Sequence, residues 1–314
     1  MTDPADGDRQ RNIEPVPPAG PIPVISGLAV PARRKAFDAL ALEGRILAEK
    51  IELLFQPVHD LLRGRATTFF LTPAFCLEGS PVITGYAAFQ QLARDDFPLV
   101  DRAMLAHGLK FARRLAQAGV HVTVGVPVAF ESLISNEGRM FYRDSLRAAG
   151  VENRPSLVIR IDNLPVGVTA SRIAELASLV RPLATQVFVH LPMADSKLSN
   201  CGLLGATGYV LKVSEGARPS LEDAAKWLAR FCENQLALSC ADQIGSDAEL
   251  LAARRHSIRF GTGAALGPAW FRGDAAPAEV ESFMRAAQRA ARTEERNVYR
   301  LSTHRELKAA RKFQ

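Results

Sequence analysis

The side chains that most often carry chemistry in proteins are present in this sequence, but they form no familiar catalytic pattern. No G-x-S-x-G segment offers a serine nucleophile. The four cysteines form no C-x-x-C pair, which disfavours a zinc knuckle or a disulfide framework. Histidine is a common zinc ligand, but the H-E-x-x-H spacing of a zinc enzyme is absent from the sequence. It is not found around any of the five histidines His59, His107, His121, His190 and His256.

One glycine-rich segment resembles a phosphate-binding loop only superficially. Residues 260–267, FGTGAALG, lack the Lys-Ser or Lys-Thr pair with which a P-loop holds phosphate and Mg²⁺. The segment also ends the last predicted strand of the chain instead of following the first. We therefore predict a strand-to-helix loop at the mouth of a barrel, where such loops gather.

The composition is that of a globular protein whose basic charge gathers near one end. Of 314 residues, 47% are hydrophobic and 23% are charged, and the net charge is +6. No apolar run approaches the ~20 residues that span a bilayer, and no apolar signal segment follows the N-terminus, so we expect a cytoplasmic protein. From Glu281 onward, nine basic residues face four acids. Because the acids interrupt the bases, a solvated or partner-binding helix is favoured over a nucleic-acid contact.

The chain divides into a tail, a central domain and a C-terminal segment. Five prolines between residues 15 and 23 block regular structure, so residues 1–33 are predicted to be a disordered proline-rich tail. The central domain is predicted over residues 34–275 and begins with a lead-in helix over 34–50. Residues 276–314 are predicted to form a basic C-terminal helix.

The central domain alternates β-rich runs with amphipathic helical segments, which predicts an α/β fold with a largely parallel sheet. The first two strands are joined by too few residues for a parallel crossover, so they are expected to be antiparallel. Eight strands predict a TIM-like (β/α)8 barrel. The predicted strands are 51–58, 66–75, 120–128, 156–161, 186–191, 208–213, 234–240 and 257–261, and the predicted helices include 98–119, 169–183, 220–233 and 246–255.

The order and spacing of these segments resemble the EAL domain family, bacterial cyclic di-GMP phosphodiesterases and their inactive relatives, over most of residues 45–272. LFQPVHDLLRGR is similar to the family's opening strand and turn through Gln56, Pro57 and Gly64. GYVLKV falls where the family has its lysine strand. ALSCADQIGSDAELLAARRHSIRFGTG resembles the region of its Ala-Glu-Gly-Val-Glu and Gln-Gly-Tyr motifs. The resemblance implies a barrel of EAL type.

Active members of that family bind two divalent cations through carboxylates and an asparagine, and the metals generate the attacking hydroxide. The resemblance places the glutamate of the namesake motif on Phe70, the asparagine on Gly125 and the next glutamate on Arg160. A phenyl ring or a glycine offers no oxygen ligand, and a guanidinium repels a cation. By the same correspondence the remaining acidic positions fall on residues 190–192 (His-Leu-Pro), Cys240 and Gln243.

Two basic residues are the weak candidates for ligand binding. Lys212 matches the family's lysine and could hold a phosphate, although the aspartate that follows it in the family is Ser214 here. An ordinary amphipathic lysine at a strand end is the favoured reading of Lys212. Arg160 could supply a fixed positive charge for an anion, with a surface arginine as an equal alternative. The phosphate-binding arginine of the family falls near Ala74.

These observations predict a catalytically inactive EAL-like regulatory or interaction module of a bacterial cytoplasm. No catalytic residue, metal site or cofactor is assigned, protein partners are expected, and a homodimer is compatible with the sequence. The first alternative is a sensor that binds cyclic di-GMP or another nucleotide without hydrolysing it, against which the residue near Ala74 weighs. An active phosphodiesterase with displaced ligands is the least favoured alternative.

Overall fold

The computed structural model describes residues 51–75, 83–84, 97–148, 157–192, 194, 196–199, 201–212, 221–266, 271–272 and 275–288. The predicted tail over 1–33, the predicted lead-in helix over 34–50 and residues 289–314 of the predicted C-terminal helix lie outside the described residues.

The strands of the described chain form one sheet that closes on itself. They are β1 Ile51–Asp60, β2 Arg65–Phe75, β3 Ile83–Thr84, β4 Thr123–Ala129, β5 Leu157–Asp162, β6 Gln186–Leu191, β7 Gly208–Lys212, β8 Leu238–Asp242, β9 Phe260–Gly261 and β10 Phe271–Arg272. Strands β2 and β4 to β9 pair in parallel, and β1 closes the ring antiparallel to both β2 and β9. Strands β3 and β10 are short additions to β2 and β1. The predicted eight-stranded barrel with an antiparallel first pair is confirmed.

Helices follow most strands and cover the outside of the barrel. They are α1 Phe97–Gln117, α2 Phe130–Ile134, α3 Asn136–Ala148, α4 Ala170–Val180, α5 Ser196–Ser199, α6 Leu221–Asn234 and α7 Asp247–Arg255, and residues 277–288 form a further helix, α8. The four helices predicted from the sequence are confirmed as α1, α4, α6 and α7. Among the described residues, no helix combines the length and the apolar composition that crossing a membrane would take.

The turn between β1 and β2 is closed by Asp60. Its Oδ1 accepts hydrogen bonds from the backbone N–H groups of Leu62 (3.2 Å) and Arg63 (2.9 Å). Gly64 ends the turn with φ +59°, a left-handed conformation that glycine adopts without steric cost. The second carboxylate oxygen of Asp60 pairs with Arg259 at 2.6 Å, which ties the turn to the start of β9.

No helix lies in the short turn between β1 and β2. The outer face of this strand pair is covered by α1 and α8. Phe55 of β1 stacks on Phe111 of α1 with ring centroids 3.8 Å apart. Phe283 of α8 meets the edge of His59 at 6.0 Å. Burial in this contact lowers the pKa of His59 to about 4, so its imidazole is neutral at physiological pH. Helix α8 is therefore packed on the barrel, with Val280 fully buried.

The core has two layers because successive side chains of a strand point to opposite faces of the sheet. The larger layer lies between the sheet and the helices. The smaller one fills the inside of the barrel, and we call it the lumen cluster: Val58, Phe70, Val158, Phe188, Val210 and Cys240.

Candidate functional site at the barrel mouth

The mouth of the barrel lies at the carboxyl ends of the parallel strands. Barrels of this kind carry their functional residues there. Alternation identifies the side chains that face it. Residues two positions beyond members of the lumen cluster lie on the same face of their strands. They are Arg160 and Asp162 after Val158, His190 after Phe188, Lys212 after Val210 and Asp242 after Cys240.

Two of the positions that the resemblance assigned to metal ligands fit together in space. Phe70 and Gly125 are direct partners across β2 and β4. A Cβ atom added to Gly125 would lie 2.0 Å from Cδ1 of Phe70, so the ring occupies the space that any side chain at residue 125 would need. The phenylalanine and the glycine therefore form one complementary unit of packing.

A second phenylalanine and glycine repeat this arrangement farther round the barrel. Phe188 of β6 is paired with Gly208 of β7, and a Cβ atom on Gly208 would lie 2.4 Å from Cε1 of Phe188. The rings of Phe70 and Phe188 meet edge to face with centroids 6.0 Å apart, a favourable aromatic geometry. We call these two rings the aromatic plug, because together they fill the lumen beneath the mouth.

Arg160 lies on the mouth side of the aromatic plug and forms a bidentate ion pair with Asp162. Its Nε and Nη2 atoms donate to the two oxygens of Asp162 at 2.7 Å and 2.6 Å, with 6% and 5% of the side chains exposed. Its Cζ lies 4.7 Å from the ring centroid of Phe70. Burial opposes the charge of the guanidinium, but Asp162 and then Asp242 outweigh it, so the net effect raises the pKa of Arg160. The charge predicted as an anion site is thus neutralised within the protein.

His190 connects this pair to a second carboxylate on the far side of the mouth. Its Nδ1 lies 3.8 Å from Asp162 and its Nε2 lies 3.8 Å from Asp242. Thr262 donates its hydroxyl to Asp242 at 2.5 Å. Neither Asp162 nor Asp242 was identified as a site residue from the sequence. The available signal was alternation, since each lies two residues beyond a lumen position on its own strand.

The other residues named from the sequence are distributed between the lumen and the rim. Lys212 is exposed at the end of β7 and is the register partner of Asp242. Cys240 is fully buried, and burial raises the pKa of its thiol well above the ordinary range, so it is a neutral packing group. Gln243 is exposed and has a left-handed backbone with φ +59°. Ser214 lies outside the described residues.

The residues at these positions do not fit a divalent metal ion. Hard cations need several oxygen ligands that converge on one point. Phe70 and Gly125 supply none, and the carboxylate of Asp162 is occupied by Arg160. Within the described ranges, no group of three or more His, Cys, Asp or Glu side chains is arranged to hold a metal.

A second buried polar group, the Asp101 cluster, lies beside the mouth between α1, α2 and α3; it consists of Asp101, Glu131, Ser132 and Tyr142. Asp101 is 0% exposed, and its Oδ2 accepts a hydrogen bond from the N–H of Ala129 at 3.0 Å. The Tyr142 hydroxyl has no hydrogen-bond partner among the described residues, and interaction with the Ser132 hydroxyl partly offsets the effect of burial on the pKa of Asp101. Burial, with smaller contributions from Asp162 and Glu131, raises the pKa of Asp101 to about 7.

Comparison with known proteins identifies the architecture. Neither the known protein-family models nor the curated protein sequences contain a match to this chain. Solved structures do match. The EAL domain of DcpA from Mycobacterium smegmatis superposes with a TM-score of 0.55 at 15% identity, covering 76% of this chain and 98% of that one. The chain has an EAL-type fold.

Two further structures support the same architecture. An EAL domain protein from Listeria monocytogenes matches with a TM-score of 0.54 at 12% identity, over 76% of this chain and 92% of that one. The EAL domain of FimX from Xanthomonas citri, solved in complex with cyclic di-GMP, matches with a TM-score of 0.56 at 14% identity, over 73% and 92%. The EAL-type barrel predicted from the sequence is confirmed as a fold. Identities this low carry no further conclusion about activity.

Proposed function

We propose that this protein is a catalytically inactive EAL-type module that acts in cyclic di-GMP signalling through regulation or protein contacts. The observation that carries the proposal is the fit of the Phe70 ring into the space beside Gly125. Two positions at which active relatives need metal ligands have become one interlocking apolar contact. Restoring either ligand alone would leave a clash or a gap.

The charges of the mouth support the same conclusion. A metal-dependent phosphodiesterase needs free carboxylates at the end of its strands to position the cations that activate water. Here Asp162 is bound by Arg160 in a buried bidentate pair, and Asp242 accepts the hydroxyl of Thr262. The bidentate pair with Arg160 neutralises Asp162, and Asp242 alone supplies too few oxygen ligands for a divalent cation. The link to cyclic di-GMP rests on the EAL-type fold and on the sequence resemblance.

Hydrolysis of cyclic di-GMP by the purified full chain tests this proposal. The reaction is run with Mg²⁺ or Mn²⁺, with an active EAL domain as positive control and a chelated sample as blank. We expect no linear product above the blank. Linear product that forms at a rate proportional to this protein and vanishes on chelation would contradict the proposal.

A non-hydrolysing nucleotide sensor is the second candidate, and one observation favours it. Lys212 is exposed at the end of β7, on the lumen side of its strand and paired in register with Asp242. A lysine at this place could hold a phosphate without a metal. Calorimetric titration with cyclic di-GMP in a chelator separates the candidates. Saturable binding that is lost in Lys212→Ala but kept in Lys226→Ala, a substitution of an exposed lysine on α6, would support the sensor; no binding supports the interaction module.

A further inference from the structure

The end of the barrel opposite the mouth exposes three leucines. Leu62 lies in the turn between β1 and β2, Leu203 precedes β7 and Leu236 precedes β8, with 50%, 64% and 85% of their surface exposed. Strands β1, β9, β8 and β7 are neighbours in the ring, so the leucines follow one arc of this end. In barrels this end serves stability, which exposed leucines do not improve. We call it the base face.

Two of these leucines are held on a rigid support. Gln235 is 5% exposed, and its side chain accepts the N–H of Leu204 at 2.8 Å and donates to the carbonyl of Gly202 at 3.2 Å. This amide joins the loop before β7 to the turn before β8. The hydrogen bonds of Gln235 therefore fix the positions of Leu203 and Leu236 relative to each other.

The backbone of Leu236 shows that leucine is not at this position for folding. Its φ is +51°, a left-handed conformation in which a leucine costs about 1 kcal/mol and asparagine or glycine costs less. Its side chain is the most exposed of the large hydrophobic residues in the described chain. Neither local geometry nor burial accounts for the residue, which leaves contact with another surface.

The charges around the leucines are almost all positive. Arg63 and Arg65 flank the turn that carries Leu62, and Arg147 and Arg181 are exposed at the same end of the barrel. Exposed acids near this end include Glu233, in the last turn of α6, and Glu222, which is paired with Arg255 and His256. Projecting apolar side chains within a basic surface are the combination that binds anionic bilayers, because leucine enters the headgroup region and arginine attracts the lipid charge.

We propose that the base face is a docking surface for an anionic lipid bilayer. Peptide partners lie in grooves, whereas these leucines project outward, and the arginines supply the complementary charge for acidic headgroups. Docking through the base face would leave the mouth directed toward solvent. The proposal does not depend on whether the mouth binds a nucleotide.

Vesicle flotation with the full chain tests this proposal at about 0.1 M salt, where exposed charges still act over about 10 Å. Vesicles of phosphatidylcholine alone are compared with vesicles that also contain phosphatidylserine. The variants are Arg63→Gln/Arg65→Gln and Leu203→Ser/Leu236→Asn, the latter chosen because asparagine suits the left-handed backbone. The matched controls are Lys110→Gln/Lys226→Gln and Leu251→Asn, on exposed faces of α1, α6 and α7.

We expect the wild type to bind only the anionic vesicles. Loss of two arginines should weaken binding about thirtyfold, since each basic residue near the surface contributes about fivefold. The double leucine variant should also lose most binding, while both controls bind as the wild type does. The proposal is wrong if the wild type does not bind anionic vesicles, or if the base-face variants bind no worse than the controls.

Discussion

At the residue scale, the central feature is that Phe70 and Gly125 depend on each other. The resemblance places these residues at two metal-ligand positions of the EAL family, 55 residues apart in the chain. The register of β2 against β4 places them side by side, where the ring of one needs the missing side chain of the other. Complementary side chains of this kind are expected within a close-packed core.

Gly125→Ala should therefore destabilise the protein although alanine is small. The new methyl group would overlap the Phe70 ring at 2.0 Å, and overpacking of a core costs about 1 to 3 kcal/mol. Gly202→Ala is the matched control, because a Cβ atom there meets nothing within 4 Å. Urea unfolding measures both. Adding Phe70→Leu should recover part of the loss, and equal stability of the two alanine variants would contradict the packing described here.

A second prediction concerns Asp101, whose carboxyl is buried beside two other acids. Its pKa of about 7 in the folded protein lies above its ordinary value of 3.8. Folding therefore favours the protonated form, and the contribution of Asp101 to stability should fall as pH rises from about 4 to about 7 and then level off, whereas buried neutral His59 contributes a rise between about 4 and 6.5. The size of the Asp101 effect is about 4 kcal/mol, at 1.36 kcal/mol per pH unit.

Asp101→Asn should remove that decline, because the amide keeps an oxygen for the N–H of Ala129 and carries no charge. The variant should melt at a higher temperature than the wild type at pH 8, and this advantage should shrink as the pH falls from about 7 toward 4. Asp144→Asn, at an exposed position of α3, is the control. An advantage of Asp101→Asn over the wild type that stays constant between pH 4 and 8 would show that Asp101 ionises normally.

At the scale of elements, strands were easier to predict than helices. Eight β-rich runs separated by helical segments were sufficient to predict the barrel, and the short β1–β2 connection was sufficient for its antiparallel start. Helices α2 and α3 were not among the helices predicted from the sequence. In the fold, a Cβ atom on Gly138 would lie 2.1 Å from the carbonyl oxygen of Ser132, so glycine permits the tight joint between the two helices.

Helix α8 should be required for stability although it follows the last strand of the barrel. Val280 is 0% exposed, and Phe283 contacts the rings of His59 and Phe69 on β1 and β2. A chain that ends at residue 288 should melt close to the full-length temperature. A chain that ends at residue 276 should lose its cooperative transition or melt many degrees lower, because the β1–β2 wall would be exposed. Equal melting of the two truncations would show that α8 contributes nothing.

At the scale of the whole molecule, the sequence predicts the barrel better than it predicts the mouth. The alternation of β-rich runs with amphipathic helical segments indicates a fold, because every unit of strand and helix repeats the signal. The mouth depends on side chains from β5, β6, β8 and the loop after β9, such as Asp162, His190 and Asp242, which only the closed ring brings together. The same holds for the Asp101 cluster, whose members come from three different helices.

The central claim is that the aromatic plug and the Arg160–Asp162 pair leave no divalent metal site in the mouth. Titration of the purified chain with Mn²⁺, followed by the electron paramagnetic resonance signal of the free ion, tests it most directly. We predict that, at micromolar concentrations of added Mn²⁺, the signal of the free ion rises as steeply with protein present as it does in buffer alone. Disappearance of one or two ions per chain from the free signal, with recovery on addition of a chelator, would contradict the account.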